Sequence, residues 1–519
     1  MSPPRVSAPP RQVASAQTVA LNPPEWDGVP LPKRVLWFTQ GFVFRHRDAF
    51  LVCALTTIAL VLRMWINRGL WLDEATSVAQ AKMEFGRMLS YLRTSDLHPP
   101  LYQVILWSDI RLFGDGPLSI RMPSVLLGTA TVPLLYGAGR ELFNRRVGLI
   151  AALFGTVGPA AVWYSQEARV YALFIALATV ALWAQVCCIR RGTFKAWVVY
   201  SLASVALIWS HYFAAIYVLT QQLAFLVLIW GQRGSPQGRR LLAGWVRSVG
   251  GIAVLLIPLL VITYGQLDRQ IEFGGGFLPA QTAEPQSPVY SILSSIASAL
   301  LGYHSDSTML KINALWPLGM LGALLALGRG RSQSAKLLVA LIVVPTAVLL
   351  VVSFKREDVL ELRYFAGAIP ALTLLLARGI SVVTRRALTT GIACVAVVAI
   401  MTAGLVGEQL SKSNPRVYDF DTTLTAFNAD QRPGDVMLLE PYYLYPTVRY
   451  YAPRYDSRPL TAGLESTTAP GRILIVDSLA FADHEISRSR VRTVIDRLLL
   501  ERKLVQHVEG KHIEVWVFS

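Results

Sequence analysis

Long apolar runs separated by short polar segments fill the chain from about residue 48 to 410. A membrane-spanning helix takes about 20 mostly apolar residues. Runs near 49–67, 119–139, 147–163, 170–189, 196–210, 212–230, 244–264, 310–328, 336–354, 364–383 and 387–407 meet that length or approach it, which predicts eleven spans. Two further segments, 99–113 and 288–303, are apolar on one side but short or interrupted by polar residues, and are expected to lie in the interface. From about 412 the pattern changes. Residues 435–440 and 472–477 follow Pro433-Gly434 and Pro470-Gly471 and predict short buried strands. Val491, Val494, Ile495, Leu498 and Leu499 have helical spacing, and 504–509 with 513–518 form a hairpin around Gly510-Lys511.

Composition agrees with the pattern. Apolar residues make up 53% of the 519 residues and charged residues 16%, too little charge to coat a water-soluble surface of this size. The expected fold class is a polytopic α-helical membrane protein with a small C-terminal extracytoplasmic α/β domain. Three divisions follow: a proline-rich, disordered cytoplasmic tail over 1–47, a transmembrane domain over 48–410 and the α/β domain over 411–519. Cys53, Cys187, Cys188 and Cys394 all fall inside apolar runs, so no disulfide framework or thiolate metal site is implied.

A net charge of +16 would ordinarily suggest nucleic acid, but its location excludes that partner. Residues 411–519 carry 14 basic and 14 acidic side chains, so the excess belongs to the part with the apolar runs. With eleven spans, residues 1–47, 140–146, 190–195, 231–247, 329–336 and 378–386 share one side and hold 22 basic and 3 acidic residues. The opposite side, 68–121, 163–171, 265–312 and 354–363, holds 12 and 14. Short cytoplasmic segments are rich in Lys and Arg. The N-terminus is therefore expected in the cytoplasm and the C-terminal region outside it. Forty Arg against nine Lys suggests a GC-rich bacterial genome.

Candidate chemistry gathers on the outer side. Asp73 and Glu74 follow the first span, framed by Trp71, Leu72 and Ala75, a setting in which a carboxylate can serve as general base. Neighbours on a helix point about 100° apart, so one base and one positioning group is the expected division. His98 precedes Pro99-Pro100 and Tyr102, where imidazole and helix N–H groups can share an anion. Gln166, Glu167 and Arg169 stand together at a span end as a surface for sugar hydroxyls and phosphate, although an aromatic belt accounts adequately for Trp163, Tyr164 and Tyr171. His211-Tyr212-Phe213 caps the next outward crossing. Lys355-Arg356-Glu357-Asp358 leads to Arg363-Tyr364, where an Arg at a span's first turn can grip a lipid phosphate. His98, His211 and His304 leave a divalent cation open, but their spacing is no metal signature.

The ordered set Leu72-Asp73-Glu74, His98-Pro-Pro-Leu-Tyr102, Arg121-Met-Pro-Ser124, Tyr164-Ser-Gln-Glu-Ala-Arg-Val-Tyr171, His211-Tyr-Phe and Arg363-Tyr364 resembles the GT-C membrane glycosyltransferases. It is most similar to the bacterial branch related to protein O-mannosyltransferases and the aminoarabinose transferase of lipid A. The resemblance covers about 48–407 and implies a two-helix first outer loop and a polyprenyl-phosphate-linked sugar donor in a bacterial inner membrane; it says much less about the acceptor, which is expected to be an extracytoplasmic hydroxyl of a cell-envelope glycan, lipid or protein. It implies that Asp73 activates the acceptor hydroxyl, that Glu74 is the second acid of the pair, and that His98, Arg169, Arg363 and Tyr364 hold the donor phosphate. Gln166, Glu167, Tyr171, His211, Tyr212 and Tyr102 are then substrate contacts, and no cofactor is required. Mannose is the default sugar, with arabinose and glucose open. A transporter or lipid flippase is the competing class, disfavoured because the spans carry almost no ionisable residue except Arg63. A binding scaffold acting through its C-terminal domain ranks behind both.

Overall fold

The computed structural model describes residues 46–96, 98–272, 288–302, 332–353, 362–384, 386–410, 418–461, 470–478 and 484–519. Residues 1–45 of the expected tail over 1–47, the expected span at 310–328, His304 and Lys355–Asp358 lie outside the described residues. The chain divides into a short unit, residues 1–51, whose described part is the first turn of a helix, and one unit from Val52 to Ser519.

Helices carry the membrane part: α1 (Arg47–Met64), α2 (Leu72–Ala81), α3 (Phe85–Thr94), α4 (Leu101–Phe113), α5 (Met122–Leu142), α6 (Arg145–Val157), α7 (Pro159–Ser165), α8 (Tyr171–Arg191), α9 (Phe194–Ser210), α10 (Ala214–Gly231), α11 (Pro236–Glu272), α12 (Pro288–Leu301), α13 (Gln333–Ser353), α14 (Leu362–Phe365), α15 (Ile369–Val383) and α16 (Ala387–Leu410). Among the described residues six stretches, α8, α10, Pro236–Gln266 of α11, α13, Leu362–Val383 and α16, are long and apolar enough to cross a bilayer; α6 and α7 make a seventh if taken as one bent span. The chain is a multi-pass membrane protein.

Three expectations are corrected. The run at 147–163 is not one straight helix: α6 and α7 meet at a 56° bend. Pro159 has no N–H to give the carbonyl of Gly155, and buried Arg63 of α1 supplies the donor instead. Its Nη2 donates to Gly155 O at 2.9 Å and its Nη1 to Thr156 O at 3.3 Å, while Nε donates to Ser165 Oγ at 3.1 Å. The one ionisable residue that stood out in the spans is thus part of the helix break. The first loop, implied to hold two helices, holds α2, α3 and α4, because the chain becomes extended at Glu84 (φ −60°, ψ 145°) between α2 and α3. The span at 364–383 is interrupted by a 3₁₀ turn, Ala366–Ala368, ahead of Pro370.

The C-terminal part is a five-stranded sheet in the order β2-β1-β3-β5-β4. Strands β1 (Val436–Glu440), β2 (Asp456–Pro459) and β3 (Ile473–Asp477) run parallel, and β5 (Ile513–Phe518) is antiparallel to both β3 and β4 (Leu504–Gly510). Both faces of β1 and β3 are covered, which is why these strands read as unbroken apolar runs. Val436, Leu438, Ile473 and Ile475 pack on Val491, Val494 and Leu498 of α19 (His484–Glu501). Met437, Leu439, Leu474 and Val476 face α17 (Phe420–Ala429) and α18 (Tyr445–Tyr451), and the core they form also takes in Leu72 of α2. The sheet domain is therefore docked on the first loop. Trp71 stacks on Tyr418 with centroids 6.4 Å apart, and the Leu70 N–H donates to the Tyr451 hydroxyl at 2.5 Å. Gly69 makes room for the contact, since a Cβ there would lie 2.7 Å from Asp421 Cγ.

Candidate active site

The two adjacent acids of α2 go to different places. Glu74 is fully buried and bidentately paired with buried Arg121: Nε donates to Oε1 at 2.8 Å and Nη2 to Oε2 at 2.7 Å. The carboxylate also accepts from the backbone N–H of Ala168 at 2.8 Å and of Trp71 at 3.3 Å. Arg121 donates further to the carbonyls of Arg68 (3.0 Å) and Gly69 (2.9 Å). One ion pair thus fastens the start of α2, the turn before α5 and the 166–170 turn. With its lone pairs committed to these donors, Glu74 fits the positioning side of the division rather than proton transfer.

Asp73, one position earlier, is partly exposed and stands between two guanidiniums. Arg169 Nη2 is 3.3 Å and Arg363 Nη1 3.7 Å from its Oδ2. Arg169 is almost wholly buried and is held by α2 itself, Nη1 donating to Ser77 Oγ at 3.1 Å. Its Nη2 lies 3.4 Å from His98 Nε2. His98 is oriented in turn by Asp96, whose Oδ1 accepts from the His98 backbone N–H at 2.7 Å and pairs with Nδ1 at 2.8 Å. Burial works against the ionised form of Asp96, but the charge and hydrogen bonds of His98, with a further bond from Gln80, outweigh it and hold the pKa well below the ordinary carboxylate value. An ionised Asp96 accepts from Nδ1–H and so orients the ring, turning Nε2 toward Arg169. Gln80 extends the line, its Nε2 donating to Asp96 at 2.5 Å and its Oε1 accepting from Gln103 at 2.6 Å.

Tyr364 and His211 close the far side. Tyr364 packs on Phe213 with centroids 4.7 Å apart and on His211 at 6.1 Å, and His211 stacks on Phe174 at 5.0 Å. Burial first, then the charges of His98, Arg169 and Arg363, push the pKa of His211 down to about 3, so it is neutral. Tyr171 lies beside the Arg169 guanidinium, 5.8 Å from ring centroid to Cζ.

The remaining predicted residues stand behind this cluster. Gln166 is fully buried and its amide is engaged: Oε1 accepts from Arg68 (3.1 Å) and Gln409 (2.7 Å), and Nε2 donates to the carbonyls of Leu62 (3.1 Å) and Trp65 (2.9 Å). Glu167 accepts from Trp163 Nε1 at 2.6 Å, and Tyr102 shares a 3.1 Å hydrogen bond with Ser124. Tyr212 donates to Gln266 Oε1 at 2.6 Å. Gln266 Nε2 then reaches the carbonyls of Leu92 (2.7 Å) and His98 (3.3 Å), so α11 supports the His98 turn. Gln80, Ser77 and Gln266 carry no sequence signal of this role. Among the described residues no three His, Cys, Asp or Glu side chains are grouped closely enough to hold a metal ion.

The cluster thus offers two cations, one of them fixed, one partly exposed carboxylate between them and an aromatic wall. It can hold an anion while a carboxylate oxygen takes a proton nearby.

A family model described as dolichyl-phosphate-mannose-protein mannosyltransferase matches residues 97–263. The chain is similar in structure to ArnT from Cupriavidus metallidurans, bound to undecaprenyl phosphate (TM-score 0.57, 13% identity, 90% of this chain and 97% of that one) and in the apo state (0.60, 12%, 92% and 98%). It is also similar to the archaeal oligosaccharyltransferase AglB from Archaeoglobus fulgidus, in complex with an inhibitory peptide and a dolichol-phosphate (0.51, 12%, 86% and 72%). No curated protein matches it in sequence. At these identities the likeness is one of fold: the chain has the GT-C fold with a small C-terminal sheet domain.

Proposed function

We propose that this membrane protein of the GT-C fold is an inverting glycosyltransferase that moves a sugar from a polyprenyl-phosphate carrier to an acceptor hydroxyl of a cell-envelope glycan, lipid or protein. Mannose is the default sugar. The observation that carries the reading is Asp73 held between Arg169 and Arg363, two cations against one carboxylate. Paired guanidiniums suit a phosphodiester donor and the phosphate it leaves behind. ArnT bound to undecaprenyl phosphate and AglB bound to a dolichol-phosphate support a carrier of this class.

In the reaction the acceptor oxygen attacks the anomeric carbon from the face opposite the phosphate. The new C–O bond forms as the old one breaks, the electron pair leaves on the phosphate oxygen, and the acceptor proton passes to Asp73. Phosphate is already a good leaving group, so stabilising its charge matters more than protonating it. Arg169 and Arg363 supply that stabilisation, Tyr364 and His211 flank it, and no carboxylate serves as a covalent nucleophile. No cofactor is needed, because the two guanidiniums hold the charge that a divalent cation would otherwise neutralise. The active side and the sheet domain are taken as extracytoplasmic in a bacterial inner membrane, on the asymmetry of basic residues between the two sets of loops.

The test is sugar release from a panel of radiolabelled polyprenyl-phosphate sugars in membranes carrying the wild type or Asp73→Asn, with and without envelope extract and chelator. Transfer or slow hydrolysis of one donor, lost in the variant and indifferent to chelator, is expected. Turnover by the purified Asn variant at the wild-type rate would remove Asp73 as base. If no donor is consumed under any condition, the transport class gains and lipid translocation is the next assay.

A further inference from the structure

At the far end of α9 from His211, about 25 Å away along the helix at 1.5 Å per residue, lies a groove of about 690 Å³ between α9 and α11. Its position follows from two facing stripes. Phe194, Val198 and Leu202 recur on one face of α9 at steps of four, and Arg239, Arg240 and Arg247 lie on one face of α11. The helices touch beneath the groove. Ser201 and Ser248 share a 2.8 Å hydrogen bond, and Gly244 lets the Trp197 indole lie against α11, where a Cβ would fall 2.3 Å from Cε2.

Walls and rim have opposite character. Phe194 and Leu202 are 79% and 54% exposed, apolar surface that the described residues leave uncovered at the end of an apolar helix. The three arginines are exposed, and among the described residues none of them pairs with a carboxylate. The loops at this end are the basic ones, the cytoplasmic side in the charge reading.

We propose that this groove is a binding site for an anionic glycerophospholipid of the adjacent leaflet. The phosphate sits against Arg239, Arg240 and Arg247, and an acyl chain runs along Phe194, Val198 and Leu202. Three unpaired guanidiniums next to a low-dielectric wall favour a phosphate that can be held bidentately, and basic pockets between membrane helices take lipid headgroups for this reason. A zwitterionic headgroup brings its own cation and gains less. The polyprenyl carrier is not the occupant, because its phosphate belongs with Arg169 and Arg363 at the other end of the helix. The site stands independently of the catalytic reading.

Native mass spectrometry of the purified full-length chain with equimolar dioleoyl-phosphatidylglycerol and dioleoyl-phosphatidylcholine tests this. One phosphatidylglycerol is expected to be retained in preference. The variant R239Q/R240Q/R247Q should weaken its binding at least tenfold, while K195Q/R233Q/R386Q, which removes basic residues outside the groove, should leave it unchanged. Val198→Trp fills the groove with the arginines intact and should also expel the lipid, a second route should the triple variant fold poorly. Equal retention of both lipids, equal loss in both triple variants, full retention in Val198→Trp, or displacement by equimolar undecaprenyl phosphate or inorganic phosphate would each overturn the proposal.

Discussion

Asp73 and Glu74 are neighbours in sequence with the same chemistry, and the structure gives them opposite surroundings. Glu74 and Arg121 meet bidentately at 2.7 and 2.8 Å with both side chains buried, and their other hydrogen bonds go to backbone. Asp73 meets Arg169 and Arg363 at 3.3 and 3.7 Å and stays partly open. A closed pair of the first kind holds segments in place. An open triad of the second kind has room for a further anion and a proton, so the 100° step between adjacent helix positions separates holding from reacting. A buried pair loses far more when one partner is removed than it contributed as a pair, whereas an exposed one costs little to break.

Exchanging the two acids for their amides should therefore dissociate activity from stability. Asp73→Asn is expected to lower kcat by about 10²–10⁴-fold, the range for a lost general base, with the thermal transition and donor binding nearly unchanged. Glu74→Gln leaves Arg121 charged and uncompensated in the interior and should cost about 3–5 kcal/mol of stability, seen as loss of folded protein in detergent before any effect on kcat is measurable. If Glu74→Gln purified with wild-type stability and no activity, the assignment of the two acids would have to be exchanged.

The two guanidiniums of the open triad sharpen the contrast. Arg169 is held by Ser77 and next to His98, so Arg169→Lys should disturb both donor binding and the placement of Asp73, lowering kcat and raising the donor KM together. Arg363 enters from α14 and reaches Asp73 only at 3.7 Å. Arg363→Lys keeps the charge but loses the planar fork. It should raise the donor KM by about tenfold, the equivalent of about 1.4 kcal/mol, with a smaller change in kcat. Steady-state kinetics separate the two patterns.

What the chain disclosed before folding follows the same logic. Elements with one unbroken chemical character were legible: apolar runs became α8, α10, α13 and α16, and the segments after Pro433-Gly434 and Pro470-Gly471 became β1 and β3. Elements whose reason is tertiary were not. β2, Asp-Ser-Arg-Pro in sequence, is a strand only because β1 offers it an edge. The bend at Pro159 was masked by an apolar run and is sustained by Arg63, 92 residues away from the Gly155 carbonyl it serves. Among the candidate site residues, Asp73, His98, Arg169 and Arg363 stood out as polar, acid–base side chains at the ends of apolar helices on one side. Gln266 was silent, since a glutamine near the end of a long apolar helix gives no hint of the His98 carbonyl 168 positions earlier.

Asp477 supplies a third arrangement, a buried carboxylate without a closed partner. In the sheet register it lies between Glu440 of β1 and Glu514 of β5. Burial, then those two carboxylates, push its pKa up to about 7, against a smaller opposing pull from Arg488 and a hydrogen bond from the Ser478 backbone N–H, and Tyr443 is nearby. The sign follows: between about pH 4 and 7 the folded domain keeps a proton that the unfolded chain has released, so stability falls as pH rises and levels off above 7. Hydrogen exchange of the β3 amides, corrected for intrinsic rates, should show about tenfold less protection at pH 8 than at pH 6, about one pKa unit's worth of free energy. Asp477→Asn should flatten that dependence, and Asp73→Asn should leave it untouched.

The smallest effect tests how the sheet domain reaches the reacting side of the comparison. Leu72 is shared between α2 and the sheet core, and Tyr451 of α18 accepts the Leu70 N–H three residues before Asp73. Burial raises the Tyr451 hydroxyl above its ordinary pKa, so it remains a neutral phenol at any working pH. Tyr451→Phe removes that acceptor and should cost about 1 kcal/mol. Because the bond anchors the start of the helix that carries Asp73, part of that cost should appear as a fall in kcat of about three- to fivefold, with the donor KM unchanged. Tyr450 is the control. Its hydroxyl donates to the Asp115 carbonyl at 3.0 Å, on the rim beyond α4, so Tyr450→Phe removes a similar bond between the same two bodies without touching the lead-in to α2. Equal losses of stability with unequal losses of kcat would mean that the sheet domain positions the base as well as covering it; equal losses of both would reduce its part to docking.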